Sequence, residues 1–384
     1  MEKIKNNRFK LGLIFNFESS WMGGIVYIIN LVKTLNFLDD EEKPEILLFY
    51  RSDLKRFLKE FDYPYLKAVE WNFPSFTSGY LKSIVLRKNL FIKPILKQFA
   101  LDAVYPLQDY PVKTRTNTNL ISWCTDFQYK HFPHFFSGSQ NFARDLRTRL
   151  ALKNNGNMVL SSHDAHKDLN KFFTVKESVK VHIYHFVSII DDFAETDIRG
   201  LKKKYGLPDK YFMVSNQFHK HKNHKLVLEA LAYLKESGII IHVAFTGKLP
   251  DAGDSPYMAE LHHIIDSNHL GDQISMLGVI SRNDQLQLMK HSQAVIQPSL
   301  FEGWSTVIED ARSLQVPVIA ASLGVNVEQL GIDHGYFDPR KVDDLVVILR
   351  NYPERDLQKT HYEKYSIRVK NAAKNLLQIM KNKN

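Results

Sequence analysis

A single cysteine, Cys124, stands among 384 residues. No intramolecular disulfide can form, so the fold must rest on packing, and the cysteine usage fits a reducing compartment. Nowhere do 18 apolar residues run together without a charge, so no transmembrane helix is expected. The apolar stretch Leu11 to Phe15, behind Lys3, Lys5, Arg8 and Lys10, stops at Asn16 and is too short for a signal peptide. The chain is therefore expected to start at Met1 and to work in the cytoplasm, with any membrane contact peripheral. There is no HExxH and no cysteine cluster, so no zinc or other metal site is expected despite 16 histidines. No GxxxxGK[ST] occurs, which excludes a P-loop NTPase, and no GxGxxG follows the first apolar run, which counts against a dinucleotide oxidoreductase. Asp-x-Asp is missing too, so a divalent cation held by that element is not expected. Short-period repeats and low-complexity tracts are likewise absent, which excludes a solenoid or a disordered tail.

What is present is an ordinary globular composition, 44% hydrophobic and 24% charged, long enough for two domains. The net charge of +9 is unevenly spread. Residues 1–190 hold 27 Lys and Arg against 18 Asp and Glu, while residues 191–384 hold 24 of each. The densest basic patch is Tyr80 to Ala100, where Lys82, Arg87, Lys88, Lys93 and Lys97 interleave with Ile84, Val85, Leu86, Leu90, Phe91, Ile92, Ile95, Leu96 and Phe99. It reads as a basic amphipathic helix broken at Pro94. Two readings stand: it lies on an anionic membrane surface, or it is a core-facing helix with a solvated basic back.

From Phe9 onward, short apolar and β-branched runs alternate with longer segments of helical period, which predicts parallel sheets covered by helices on both faces. In the first half strands are expected at Phe9 to Phe17, Glu45 to Phe49, Asn119 to Trp123, Asn157 to Ser161 and Val179 to Ile183, with helices at Gly24 to Phe37, Gln140 to Lys153 and His163 to Phe173. The segment Asp62 to Gly79 gives no assignment. In the second half strands at Tyr211 to Ser215, Ile239 to Thr246, Gln273 to Leu277, Ala294 to Gln297 and Pro317 to Ala321 alternate with helices near 223–237, 256–268, 282–292, 305–314 and 341–351. That is five βα units in succession. Weak periodicity over Val187 to Thr196 marks a linker. The chain therefore reads as two doubly wound, Rossmann-like α/β domains, 1–187 and 188–355, followed by a basic, helix-leaning tail, 356–384.

In open parallel sheets ligands bind outside the carboxyl ends of the strands. After Ser215 come Gln217, Lys220, His221 and Lys222; after Thr246 comes Gly247, and after Leu277 comes Gly278. After Gln297 runs Pro298-Ser299-Leu300-Phe301-Glu302-Gly303-Trp304-Ser305-Thr306-Val307-Ile308-Glu309. Gly303, Ser305 and Thr306 suit a strand-to-helix turn where backbone amides meet a phosphate. Lys222 and Lys220 either neutralise a diphosphate opposite such a turn or belong to a solvated loop. Glu302 and Glu309 can face one cleft and accept hydrogen bonds from vicinal hydroxyls of a sugar or ribose, or Glu309 is simply an acid at a helix N-terminus. Near the start, Trp21-Met22-Gly23-Gly24 precedes a helix, and the glycine pair permits close backbone approach to an anion. Directly after the strand ending at Trp123, Asp126 and His131 are candidates for a general base or a hydroxyl binder.

These motifs resemble the twin-domain glycosyltransferases of the GT-B fold, and within them glycosyltransferase family 4. The resemblance rests on QPSLFEGWSTVIEDARSLQVPVIAAS at 297–322, on VSNQFHKHKNHKLVLEAL at 214–231 and on the GGIVYIINL entry helix. It implies that the second domain binds a nucleotide-diphosphate sugar as co-substrate, that the first binds a glycan or lipid-linked acceptor, and that transfer proceeds with retention in a central cleft, without a metal or cofactor. It further implies that the tail crosses back to the first domain. Carried over residue by residue, Glu309 is similar to the acid that binds the ribose hydroxyls, Glu302 to the one that contacts the donor sugar, and Lys222 to the lysine on the diphosphate. Gly303, Trp304 and Ser305 resemble the loop against sugar and phosphate, and Gly24 resembles the glycine near it from the other domain. Two departures stand out. Six residues separate Glu302 from Glu309, where seven is commoner, and Gln217 stands where many members have an arginine, which leaves Lys220 or His221 to assist Lys222.

The leading expectation is a metal-independent, retaining glycosyltransferase of polysaccharide biosynthesis, cytoplasmic or peripheral at the inner face of a membrane. A nucleotide-sugar epimerase or hydrolase on the same fold is the second reading. A nucleic-acid-binding protein using the basic first half is the third, and it is disfavoured because the basic residues lie beside buried-type apolar positions and no binding module is present.

Overall fold

A computed structural model describes residues 8–190, 197–250, 255–332, 334–352 and 362–382. Most of the expected linker and the expected boundary at 355–356 lie outside these residues. The chain divides into two compact units, Met1–Ile189 with Ser366–Asn384, and Ile190–Tyr365.

The first unit is built on seven parallel strands, β1 (Lys10–Phe15), β2 (Glu45–Tyr50), β3 (Leu66–Glu70), β4 (Ala103–Leu107), β5 (Asn119–Trp123), β6 (Asn157–Leu160) and β7 (Lys180–Ile183), in the order 3-2-1-4-5-6-7. β1 has β2 on one side and β4 on the other, so the direction of winding reverses between β1 and β4. Two of these strands escaped the sequence. β3 is an edge strand within the aromatic, Pro-rich segment, and β4 (AVYPL) carries Pro106, a residue that argues against a central strand. Residues 80–100 form two helices, Phe76–Val85 and Lys93–Gln98. The break falls before Pro94, not at it. Arg87 takes φ 49°, the Asn89 side chain accepts from Phe91 N and Ile92 N, and Pro94 sits in the first turn of the second helix, where its missing N–H is harmless. The core-facing reading holds for part of this stretch. Ile92 and Ile95 join the core with Leu101 and Val104 and Phe91 is buried against Tyr80, whereas Leu81, Ile84, Val85 and Leu86 are exposed.

The second unit has six parallel strands, β8 (Phe212–Ser215), β9 (Val243–Thr246), β10 (Ile274–Gly278), β11 (Val295–Gln297), β12 (Val318–Ala321) and β13 (Gly335–Phe337), in the order 10-9-8-11-12-13. Successive residues alternate between two cores. Phe212, Val214, Val243, Phe245 and Ile296 pack on one face, and Met213, Ala244, Val295, Val318 and Ala320 on the other. Burial on both faces is why these strands read as unbroken apolar runs. The sixth strand, three residues long, was too short for any periodicity to announce. Winding reverses between β8 and β11.

Helix Tyr365–Lys381 follows, buried along Val369, Ala373, Leu376 and Met380. From Ser366 onward it belongs to the first unit: Asn119 Nδ2, at the start of β5, donates to Met380 O at 2.9 Å, and Lys370 Nζ meets Asp39 Oδ1 at 3.0 Å. Among the described residues no helix is long and apolar enough to cross a membrane.

Candidate active site

The reversal point of the second sheet is where the polar residues after β8 and β11 meet. Lys222 Nζ lies 2.6 Å from Glu302 Oε1, and both side chains are largely buried. Gln297, the last residue of β11, donates from Nε2 to the same carboxylate oxygen at 2.7 Å, while its Oε1 accepts from Asn216 Nδ2 at 2.9 Å. Asn223 holds the two loops in register. In the left-handed conformation (φ 58°, ψ 37°) it opens helix His224–Glu236, and its Nδ2 donates to the carbonyls of Pro298 (3.1 Å) and Pro339 (2.9 Å). A left-handed asparagine is a tolerated exception to L-residue sterics, and here its amide spans two carbonyls.

Lys222 supplies the positive charge beside Glu302. Burial, and then the neighbouring Lys222, push the imidazole of His221 down to about 4, and burial pushes that of His224 down to about 3. His219 is lowered for the same reasons. All three are neutral near pH 7. His224 stacks on Phe218 with 4.2 Å between ring centroids, and its Nε2 lies 3.3 Å from Asn216 O, so it is a packing residue of the loop. Lys220 and Gln217 are exposed, the latter touching His219 Nε2 at 3.0 Å.

Glu309 behaves differently from Glu302. It lies in the first turn of helix Thr306–Ser313 and is 1% exposed. Its Oε1 accepts from Arg312 at 2.7 Å and from Gln329 Nε2 at 2.8 Å. Gln329 also clamps the turn itself, donating to Ser305 O (2.8 Å) and accepting from Ser305 N (3.2 Å). The Ser305 hydroxyl caps the helix through Ile308 N. Trp304 is buried, Gly303 half-buried and Thr306 exposed. Gly247 and Gly278 line up behind: Gly247 N donates to Gly278 O at 2.9 Å. Gly247 has φ 149°, and a Cβ there would sit 2.2 Å from Asn216 O, so only glycine fits.

In the first unit, the ends of β1, β4 and β5 surround a cavity of about 780 Å³. Trp21 and Trp123 line it and stack at 5.9 Å, and Tyr27 stacks on Trp123 at 4.1 Å. The glycine pair serves this column. A Cβ on Gly24 would lie 2.7 Å from the Trp21 ring, so the space expected to admit an anion at Gly24 is filled by indole; at Gly23 the nearest atom is Trp21 Nε1, at 3.3 Å. Asp126 lines the cavity, its Oδ1 accepting from Gln128 N at 3.0 Å. His131 does not share that wall. Its Nε2 lies 2.7 Å from Asp168 Oδ2, and its ring packs edge-on against Phe172. Cys124, another lining residue, is pushed up to about 12 by burial and by Asp126, so it stays a thiol.

Lys222 and Glu302 are thus brought into direct contact, with Glu309 on a separate, buried network, and Asp126 apart from His131. Sequence reasoning missed Gln297, Asn223 and Gln329. A polar residue closing the otherwise apolar β11 was a usable signal for Gln297. For Gln329 there was none, because the short helix Gly324–Leu330 that carries it has no clear period.

The sequence description of the family named Glycosyl transferases group 1 matches residues 197–369. The chain is 31% identical over 103 residues to the putative glycosyltransferase EpsF of Bacillus subtilis (strain 168), a match spanning 27% of this chain and 25% of that protein. It covers therefore about a quarter of that relative's length. Among solved structures, sucrose-phosphate synthase from Thermosynechococcus elongatus superposes with a TM-score of 0.63 at 13% identity, covering 97% of this chain and 96% of that one. HepE of Anabaena, solved with UDP and glucose, gives 0.63 at 19% identity, covering 97% and 94%. Likeness at these identities speaks for the fold alone. Residues 197–369 are thus similar to the group 1 glycosyl transferases, and the fold of the chain is that of the GT-B glycosyltransferases.

Proposed function

We propose that the chain transfers a sugar, with retention, from a nucleotide-diphosphate donor to a glycan or lipid-linked saccharide, without a metal or cofactor. The observation that carries this reading is the Lys222–Glu302–Gln297 cluster at the reversal point of the second sheet, inside the stretch that matches the family. Lys222, assisted by the exposed Lys220, takes the diphosphate and stabilises it as it leaves. Glu302 then contacts the donor sugar, and Glu309, oriented by Arg312 and Gln329, meets the ribose hydroxyls. Gly303, Trp304 and the capped Ser305 turn lie against sugar and phosphate, and Asp126 orients the acceptor hydroxyl. Because HepE was solved with UDP and glucose, uridine nucleotides are the first donors to try. The test is incubation of the protein with UDP-sugars and saccharide acceptors in chelator, followed by the anomeric signals of the product. An α-linked product from an α-linked donor supports the reading, with K222A slowing transfer at least a hundredfold. Free sugar or an epimer formed without acceptor points instead to a hydrolase or epimerase.

The enzyme works, in this reading, on the cytoplasmic side of a membrane in polysaccharide assembly. Leu81 (66% exposed), Ile84, Val85 (72%) and Leu86 stand in solvent beside Lys82, Arg87 and Lys88, apolar and basic groups together as an anionic bilayer surface requires. Flotation with phosphatidylglycerol-containing vesicles checks it: V85E should abolish co-flotation and leave the thermal midpoint unchanged, and equal flotation of V85E would end the membrane assignment.

A further inference from the structure

Among the residues lining the cavity of the first unit, Trp123, Arg147 and Asp109 each have a buried polar atom without a hydrogen-bond partner. Trp123 is 7% exposed, yet its indole Nε1 has no hydrogen-bond partner. Buried indole N–H groups are nearly always paired, so this one asks for an oxygen from outside the protein. Arg147, on helix Gly138–Asn154, has its Nε 3.3 Å from Asp109 Oδ1, but neither atom makes a hydrogen bond. Burial pushes the Asp109 carboxyl up and Arg147 offsets this only in part. One turn earlier on the same helix, Arg144 is exposed, stands over the Phe136 ring at 4.6 Å and has no carboxylate within ion-pair distance among the described residues. Arg51, by contrast, is already committed to Asp53 and Glu18. Beside these donors Trp21, 38% exposed and stacked on Trp123, supplies a flat apolar face.

From this we infer that the cavity takes a sugar ring carrying an adjoining oxyanion, phosphate or carboxylate, with the ring on Trp21, an oxygen on Trp123 Nε1 and the anion on Arg144 and Arg147. The inference rests on the transferase reading and names its acceptor class. Planar guanidinium groups match both oxyanions, so the structure gives the shared chemistry and the experiment separates the sources.

Dissociation constants for glucose, glucose 1-phosphate, glucuronic acid and inorganic phosphate are to be measured by titration calorimetry on the full chain. They are then repeated in K222A, because a sugar phosphate can also lodge at Lys222. At least one sugar oxyanion should bind tenfold or more tighter than glucose and tighter than phosphate alone. A gain with glucose 1-phosphate only means a phosphate-bearing acceptor, a gain with glucuronic acid only means a uronate, and either supports the inference. The gain should survive K222A, disappear in R144Q and return in part in R144K. W21A should weaken all three sugars and leave phosphate unchanged. Glucose binding as tightly as both anions, a gain lost in K222A, or a gain untouched by R144Q would each overturn it. Failure of sugar transfer with this binding pattern intact would sink the transferase reading alone.

Discussion

In the free protein the lysine proposed to hold the diphosphate is already occupied by Glu302, at 2.6 Å. A donor must therefore take Lys222 from a carboxylate before it gains anything. Replacing Glu302 by glutamine removes that competition while keeping the size and one acceptor oxygen. A hydrogen bond to a charged group contributes about 1.5–3 kcal/mol net. The amide oxygen still accepts from the charged Lys222, at the low end of that range, so the competition falls by about 1 kcal/mol. That amounts to about fivefold in affinity. The prediction is that E302Q binds a nucleoside diphosphate about fivefold more tightly than the native chain, although transfer slows, because the donor sugar has lost its carboxylate. Titration calorimetry of UDP, followed by GDP and ADP if UDP is silent, supplies the number, and K222A should lose at least tenfold. Unchanged or weaker binding by E302Q would show that the diphosphate does not use Lys222.

Three further outcomes follow from the same network. Gly247→Ala should lower the urea midpoint by the equivalent of about 3 kcal/mol or more, given the 2.2 Å approach to Asn216 O, while Gly271→Ala, which meets nothing, serves as control; equal midpoints would contradict the close approach. Gln329→Ala strands the Ser305 backbone and a buried donor–acceptor set, for a loss of about 2–4 kcal/mol by thermal unfolding. A loss below about 0.5 kcal/mol would mean the turn holds without it. His224 is lowered to about 3 in the folded chain, whereas the unfolded chain binds its proton below about 6.5. The unfolded state thus holds more protons between those values, so stability is full above about pH 6.5 and falls on acidification, by about 1.4 kcal/mol per pH unit for this histidine. H224Q should flatten the stability slope between pH 6 and 4 by about that amount, and identical slopes would refute it.

The sequence showed the second unit most clearly, because its strands are buried on both faces and announce themselves as apolar runs: Val295–Gln297 and Val318–Ala321 lie within a residue of their expected bounds. β4 stayed hidden because Pro106 mimics a strand breaker, and β13 because three residues carry no period. At the site, Lys222 and Glu302 were legible from their place after strands. Burial was not. Spacing alone could not tell that Glu309 faces Arg312 and Gln329 while Glu302 faces Lys222, nor that Gly24 makes room for an indole.

The column of Tyr27, Trp123 and Trp21 has an optical consequence. Two indoles 5.9 Å apart and 21° from parallel exchange excitation, and a phenol packed on one of them feeds energy into the pair. Any molecule that slides against Trp21 changes that exchange, so near-ultraviolet circular dichroism of the unlabelled protein should follow occupancy of the first unit in real time, without disturbing the lysine at the other sheet.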